Sequence, residues 1–571
     1  MIYFIAAWGI LSVISWLIGI AIIIGLRADC FDRIGDSMMA AFWLGLVLLA
    51  NGLLLISLAL PLSPIAGLAV AMGVGLPLLC WPAIRAEIYH LWQARSPAMV
   101  SAVMGWTVLI AIYMTTKVTW FDTGLYHFGA VRWLSKFGTV PGLALVLNNL
   151  GFTSSWFALA APLTLESVAS RVTAVANGWV FLIITCHGFL SLGRWFMGNA
   201  RITDKFMVIF LGLVLSAMIL SPFLETILIS SSPDIPVIFL SGIMAWSILA
   251  VVNRPQPSGK ITDANPWNAS LIPLFLALGA IAIKLSALPL LPVALLFYWQ
   301  RQFPNFRRLL IGCVLSLLLL TPLIVVSIVT SGCPLYPSSM LCVNVPWRVP
   351  TEVIDKAVEV ITFWEHNFGD IPPGPSRFLW QLWEWLKFSH FNIVMLILMV
   401  LSAVLALPTF VLARKQKIYG TPWLLCCSVI GMVFVMVRAP MVRFGLGYFV
   451  TIPAIGTAVL STAYIAKSKW QLDFSGFNIR KYLPQALFVG LGLTAALILF
   501  KPAIQARLLL PPKMPSTGLQ ARQSYDVQYV KPANDNSIKC WDAPIPCTYN
   551  ELNIRLRNPA RGLRGGFIPA E

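Results

Sequence analysis

Charge is what this sequence has least of. Only 11% of its 571 residues are Asp, Glu, Lys or Arg, against about 25% in soluble domains, so a water-exposed globular fold is excluded. A Gly-rich phosphate loop, a Walker-type segment and zinc-like Cys/His spacings are also missing, which removes the usual signatures of nucleotide-driven and zinc-centred chemistry. Met1 to Trp8 offer neither a basic start nor a small-residue cleavage site, so this stretch is expected to be a retained first span.

What is present is apolar. Hydrophobic residues make up 58% of the chain, and mean hydropathy is +0.81. Runs of roughly 18 to 25 apolar residues recur, each long enough to cross a hydrocarbon layer of about 30 Å. The fold class is therefore an all-α polytopic membrane protein. Spans are expected near 3–26, 38–60, 65–82, 98–117, 173–194, 205–222, 235–252, 270–285, 286–300, 309–330, 389–413, 421–437, 447–466 and 484–501. Segment 153–168 is shorter, Pro-interrupted and flanked by polar residues, which reads as a re-entrant piece buried in protein. With it not crossing, the loops holding Arg27/Arg33, Arg85/Arg95, Arg194/Arg201/Lys205, Arg254/Lys260, Arg301/Arg307/Arg308, Arg414/Lys415/Lys417 and Lys467/Lys469/Arg480/Lys481 share one side. The excess of Lys and Arg makes that side cytoplasmic. The net charge of +18 is thus explained by membrane orientation, and no nucleic acid partner is expected.

On the opposite, outer side lie loop 118–172, loop 331–388 and the tail 502–571. Cys333/Cys342 and Cys540/Cys547 form two close pairs there, and an oxidising compartment predicts two disulfides. Composition and disulfides suggest a bacterial inner membrane facing a periplasm. Outer loop 331–388 is rich in Trp and Pro and reads either as a sugar-stacking surface or as an aromatic belt at headgroup level. The tail of about 70 residues reads as too small and too irregular for a soluble domain.

Ionisable residues collect on this outer face. Asp122, Tyr126, His127, Arg132 and Lys136 follow the span ending near Thr116, at a spacing that fits an amphipathic surface helix. Glu225 and Asp234 sit at the outer ends of consecutive spans, Lys284 and Ser286 at a tight outer turn, and Arg438 and Arg443 at another. An Arg at a helix end commonly snorkels to headgroups, which is an ordinary account of Arg438. An Asp at a membrane boundary gains nothing that way, and ionisable residues there mark functional sites. Asp122 and Asp234 together can serve as a general base and its assistant, or as ligands of a divalent metal ion. Lys284 and Arg443 offer fixed positive charge for a phosphate.

In order along residues 120–450, D-T-G-L-Y-H-F-G-A-V-R-W-L, P-G-L-A-L-V-L-N-N-L-G-F-T-S-S-W-F, S-S-P-D-I-P, I-K-L-S-A-L-P-L-L, S-G-C-P-L-Y-P-S and R-F-G-L-G-Y give the chain its character. This organisation resembles the GT-C superfamily of integral-membrane glycosyltransferases, closest to a set of poorly characterised bacterial multi-spanning proteins. The resemblance implies a GT-C-like bundle of roughly 14 transmembrane helices. Residues 1–97 would be extra N-terminal helices, 98–300 the catalytic core, 301–501 C-terminal helices and 502–571 an extracytoplasmic tail. It implies a polyprenyl-phosphate-linked sugar as donor and a glycan, lipid or protein as acceptor. Asp122 would be the catalytic base, Asp234 the second acid, and Lys284 and Arg443 the donor phosphate site. Tyr126, His127, Arg132 and Tyr336 would orient substrate. The chain departs from the pattern in following Asp122 with Thr123, where the superfamily has two acids or an acid beside His, and in carrying three preceding spans. Rival readings are a lipid-linked glycan flippase, a polysaccharide polymerase or ligase using Arg443 and His366, and a non-catalytic scaffold.

Overall fold

A computed structural model describes residues 1–165, 171, 174–253, 265–300, 305–361, 377–467, 502–534 and 538–570. Ten helices among them are long and apolar enough to cross a membrane: α1 (Ile2–Gly25), α2 (Ile34–Ile56), α5 (Pro97–Met114), α8 (Val175–Phe196), α9 (Ile202–Leu220), α11 (Asp234–Val252), α14 (Phe306–Ser331), α17 (His390–Lys415), α18 (Thr421–Arg438) and α19 (Val442–Lys467). Each falls on an expected span. Of the 14 expected spans the remaining four are bent, shorter or outside the described residues. The 65–82 span becomes α3 (Pro64–Cys80), bent by 88° into α4 (Pro82–Ala94). The expected spans at 270–285 and 286–300 become the shorter helices α12 (Ile272–Ile283) and α13 (Leu290–Gln300). Segment 484–501 lies outside the described residues.

Local chemistry starts several of these helices. Ser63, Ser96 and Ser221 each precede a proline at the first helical position, and each hydroxyl accepts a backbone N–H of the first turn. Close packing then joins the helices. A Cβ at Gly45 would lie 1.7 Å from the carbonyl oxygen of Ser15, and one at Gly19 would lie 1.8 Å from that of Ala41. The α1 and α2 backbones therefore touch, as small residues permit inside membranes.

The bundle has two chemically distinct ends. At one, Arg33 pairs with Asp36 and Asp204, Arg194 pairs with the same two carboxylates, and Arg201 pairs with Asp32. The Asn253–Tyr419 and Lys205–Thr462 contacts tie further helix ends there. At the other end lies loop 118–165. Helix α7 (Ser155–Ala160), at about 1.5 Å per residue, is roughly 9 Å long. Ser154 beside it donates to Ile283 O, at the end of α12. Segment 153–168, expected to be re-entrant, is described only as far as residue 165.

The hairpin of α12 and α13 positions the site. Every residue of α12 is buried. At about 1.5 Å per residue its 12 residues cover roughly 18 Å, well short of a bilayer's ~30 Å. The turn at Lys284 follows directly on this short buried helix, and four charged side chains meet around it.

Helix α6 (Phe128–Phe137), entered through a single π-helical turn at Thr123–His127, lies across the same end. Its apolar face was expected to meet lipid or protein; it meets the C-terminal tail. Far from irregular, the tail pairs β1 (Leu519–Ser524) with β2 (Val527–Pro532) and β3 (Ile554–Leu556) with β4 (Phe567–Pro569), both antiparallel. Val527, Ile554 and Phe567 share one apolar cluster with Val131, Trp133 and Val140. Both expected disulfides are present, Cys333–Cys342 and Cys540–Cys547.

Candidate functional site

Four elements bring four charged side chains together. Asp122 enters from the start of the π-turn, Asp234 from the first residue of α11, Lys284 from the α12–α13 turn and Arg443 from the first turn of α19. They form two ion pairs. Arg443 Nη1 donates to Asp122 Oδ2 at 2.7 Å, and Lys284 Nζ donates to Asp234 Oδ1. Asp234 Oδ2 also accepts from the Ser232 hydroxyl at 3.0 Å. Phe444 unites the pairs: Lys284 Nζ lies 4.4 Å and Arg443 Cζ 4.6 Å from the centre of that one ring. Trp120 covers Arg443 from another direction at 5.2 Å. The quartet is electrically balanced, as a site within a membrane's thickness must be.

Depth separates Asp234 from the other three. Its side chain is 2% exposed, whereas Asp122, Arg443 and Lys284 keep 19%, 17% and 24% of theirs open. Asp234 anchors; the other three keep a face free for a ligand. His127 is buried, with no protein partner at Nδ1. Burial lowers its pKa to about 4, while the opposing fields of Asp122, Asp234, Lys284 and Arg443 largely offset one another. It is a neutral imidazole at neutral pH. The ring of Tyr126 packs edge-on against His127 and against Phe152, and burial pushes its hydroxyl well above the usual tyrosine range.

Six of the expected residues thus converge: Asp122, Asp234, Lys284, Arg443, Tyr126 and His127. Two do not point at the quartet. Arg132 donates to the carbonyls of Asp542 and Ala543 in the tail, so its guanidinium fastens the tail to α6. Tyr336 stands behind Phe152, at 5.7 Å between ring centres, with its hydroxyl buried and unpartnered. Glu225 accepts from the Tyr113 hydroxyl at 3.1 Å, off to one side. His366 lies outside the described residues. Trp120, Ser232, Phe444 and Trp541 were missed. The signal for Phe444 was its place beside Arg443; for Trp120, its place two residues before Asp122.

The tail reaches the site's edge. Trp541 donates its backbone N–H to Gly124 O at 2.9 Å, and its indole lies where a Cβ on Gly124 would be, 2.7 Å away. Lys539 lies 4.7 Å over the ring of Phe121, next to Asp122. A divalent metal does not fit well here. No group of three or more His, Cys, Asp or Glu suited to a metal exists among the described residues, and each candidate carboxylate already holds a cation.

No curated protein and no solved structure matches the chain. Its first 450 residues, which contain the whole quartet and stop short of the tail, match a family model, and the chain belongs to the family described as a domain of unknown function (DUF8201).

Proposed function

We propose that the protein is a membrane-embedded glycosyltransferase that moves a sugar from a polyprenyl-phosphate donor to an envelope glycan, lipid or protein on the periplasmic face of a bacterial inner membrane. The observation that carries this reading is the convergence of two carboxylates and two cations in one cluster at one end of the bundle. The resemblance to GT-C enzymes supports it.

The pairing suggests how the charges work. An incoming phosphate competes with Asp122 for Arg443 and engages the open side of Lys284; arginine can hold phosphate through two parallel hydrogen bonds. Asp122, released from its partner, is then an unencumbered carboxylate. The acceptor O–H attacks the anomeric carbon, its proton passes to Asp122, and the carbon–oxygen bond to phosphate breaks with inversion. The polyprenyl phosphate leaves with the electron pair, its developing charge met by Arg443 and Lys284. Asp234 holds Lys284 in place. Tyr126 and the neutral His127 shape the polar wall facing the substrate.

The test is mass spectrometry of envelope glycolipids and polysaccharides from cells carrying the wild-type chain, no chain, or Asp122→Asn. One glycan should lose a single sugar in both the null and the Asn strain, and the missing mass names the donor. An Asn strain that keeps the sugar removes Asp122 from the chemistry. Accumulated untranslocated or unpolymerised precursor in the null, with a normal Asn strain, would instead indicate a flippase or polymerase.

A further inference from the structure

A cavity lies away from the quartet. It is a groove of about 480 Å³ with α8 as its floor, α5 as one wall, and α9 with α10 (Pro222–Leu228) as the other. Its lining is apolar along almost its whole length. The polar groups within it are occupied: Trp106 donates to the Thr185 hydroxyl, which donates to the Phe181 carbonyl. The one charged group of its lining is at one end, where Glu225 accepts from the Tyr113 hydroxyl through Oε1.

Position and length identify what such a groove can take. Along α9 it runs from Val208 to Ile219, which at about 1.5 Å per residue is roughly 16 Å. That is half of a hydrocarbon layer of about 30 Å, the depth of one leaflet. It reaches Tyr113, next to the last residue of α5, and Glu225, beyond the end of α9. The half in question is therefore the one on the quartet's side. Ile219 and Phe189, at 77% and 51% exposure, leave it open sideways to lipid.

The headgroup end selects by charge. A carboxylate at the mouth repels a bare phosphate and attracts an ammonium. On the same short helix Phe223 packs edge-on against Trp120, at 5.3 Å between ring centres, and aromatic faces also favour a cation. We propose that this groove binds one hydrocarbon chain of an outer-leaflet lipid whose head carries a primary amine, with Glu225 receiving the amine. Through Phe223 and Trp120 the bound head would lie two aromatic rings from Arg443. The assignment stands on the groove and its carboxylate, independently of the transfer chemistry.

Native mass spectrometry of the purified full-length protein tests it. The probes are phosphatidylethanolamine, phosphatidylglycerol of the same chains, and undecaprenyl phosphate. Wild type should hold phosphatidylethanolamine about tenfold more tightly than phosphatidylglycerol. Glu225→Gln should lose that preference yet keep chain binding. Gly212→Trp should reduce phosphatidylethanolamine binding about tenfold; Gly212 lines the groove, and a Cβ there meets no atom within 4 Å, so the backbone has room for a side chain to start. Gly212→Leu serves as a second block, and an unchanged melting temperature certifies both folds. Equal binding of the two phospholipids by wild type, or unchanged binding in both blocked variants, overturns the proposal. Preferred binding of undecaprenyl phosphate overturns it too, and assigns the groove to a phosphate-linked lipid.

Discussion

Asp234 and Lys284 show what a buried pair does at the scale of single residues. Removing one member of such a pair leaves an uncompensated charge, at a cost of about 3–5 kcal/mol, whereas removing both is often nearly neutral. Lys284→Met should therefore lower stability in detergent by about that much, and Lys284→Met combined with Asp234→Asn should recover most of it. A double variant no more stable than the single would mean that Lys284 supports the cluster by packing on Phe444 rather than by its charge. His127 makes a separate statement about pH. Its pKa falls from 6.5 to about 4 on burial, so between those values the unfolded chain takes up a proton that the folded chain refuses. Stability on this account is complete above pH ~6.5 and declines by about 3 kcal/mol as pH approaches 4. Melting curves from pH 7.5 to 4.5 should show wild type falling faster than His127→Gln, with the two converging at neutral pH. Parallel curves would remove His127 as the cause.

At the scale of elements, the π-turn at Thr123–His127 and the tail behave as one part. Gly124 gives Trp541 both its carbonyl and the space that a Cβ would fill, and Arg132 holds the following residues by their carbonyls. Disulfide Cys540–Cys547 closes the loop that carries Trp541. Gly124→Ala should push the indole away, so that limited proteolysis cuts the tail near residues 533–543 faster while the helices stay intact. Trp541→Ala in the Gly124→Ala background should add little further, because the contact is already lost. If Gly124→Ala leaves the tail as resistant as wild type, the latch is held elsewhere, through Phe567 and Trp133 for example. This partnership could not be read in the sequence. The two segments are more than 400 residues apart, and the apolar face of α6 has the same spacing whether it meets lipid or a β-hairpin. The disulfides could be read, because cysteines seven and nine positions apart in outer loops leave few alternatives.

At the scale of the whole molecule, hydropathy is a one-dimensional signal, and it located what one dimension can locate. All ten long apolar helices fall on expected spans, because a membrane fixes their length and composition independently of their neighbours. The departures lie where neighbours decide. α12 can be short because other helices bury it, and α3 can turn into α4 because Pro82 starts a new helix directly after the bend. The quartet was legible as four costly residues near one surface, but not as two ion pairs, since sequence carries no distance between residues 122 and 443. Orientation is argued differently again. Arg33, Arg194 and Arg201 were counted as free positive charge, yet each is bound to Asp32, Asp36 or Asp204. The positive-inside tendency counts Lys and Arg and is little affected by acids, so these pairs leave the expected orientation unchanged. That orientation can be measured with single cysteines placed at the two ends, one at Lys136 beside the tail and one at Lys417 beyond α17. A membrane-impermeant maleimide added to intact spheroplasts should label Lys136→Cys and spare Lys417→Cys until the membrane is opened. The reverse pattern would turn the quartet to the cytoplasm, where a periplasmic acceptor could not reach it. Labelling of both in sealed cells would mean that the chain between α5 and α8 crosses the membrane after all.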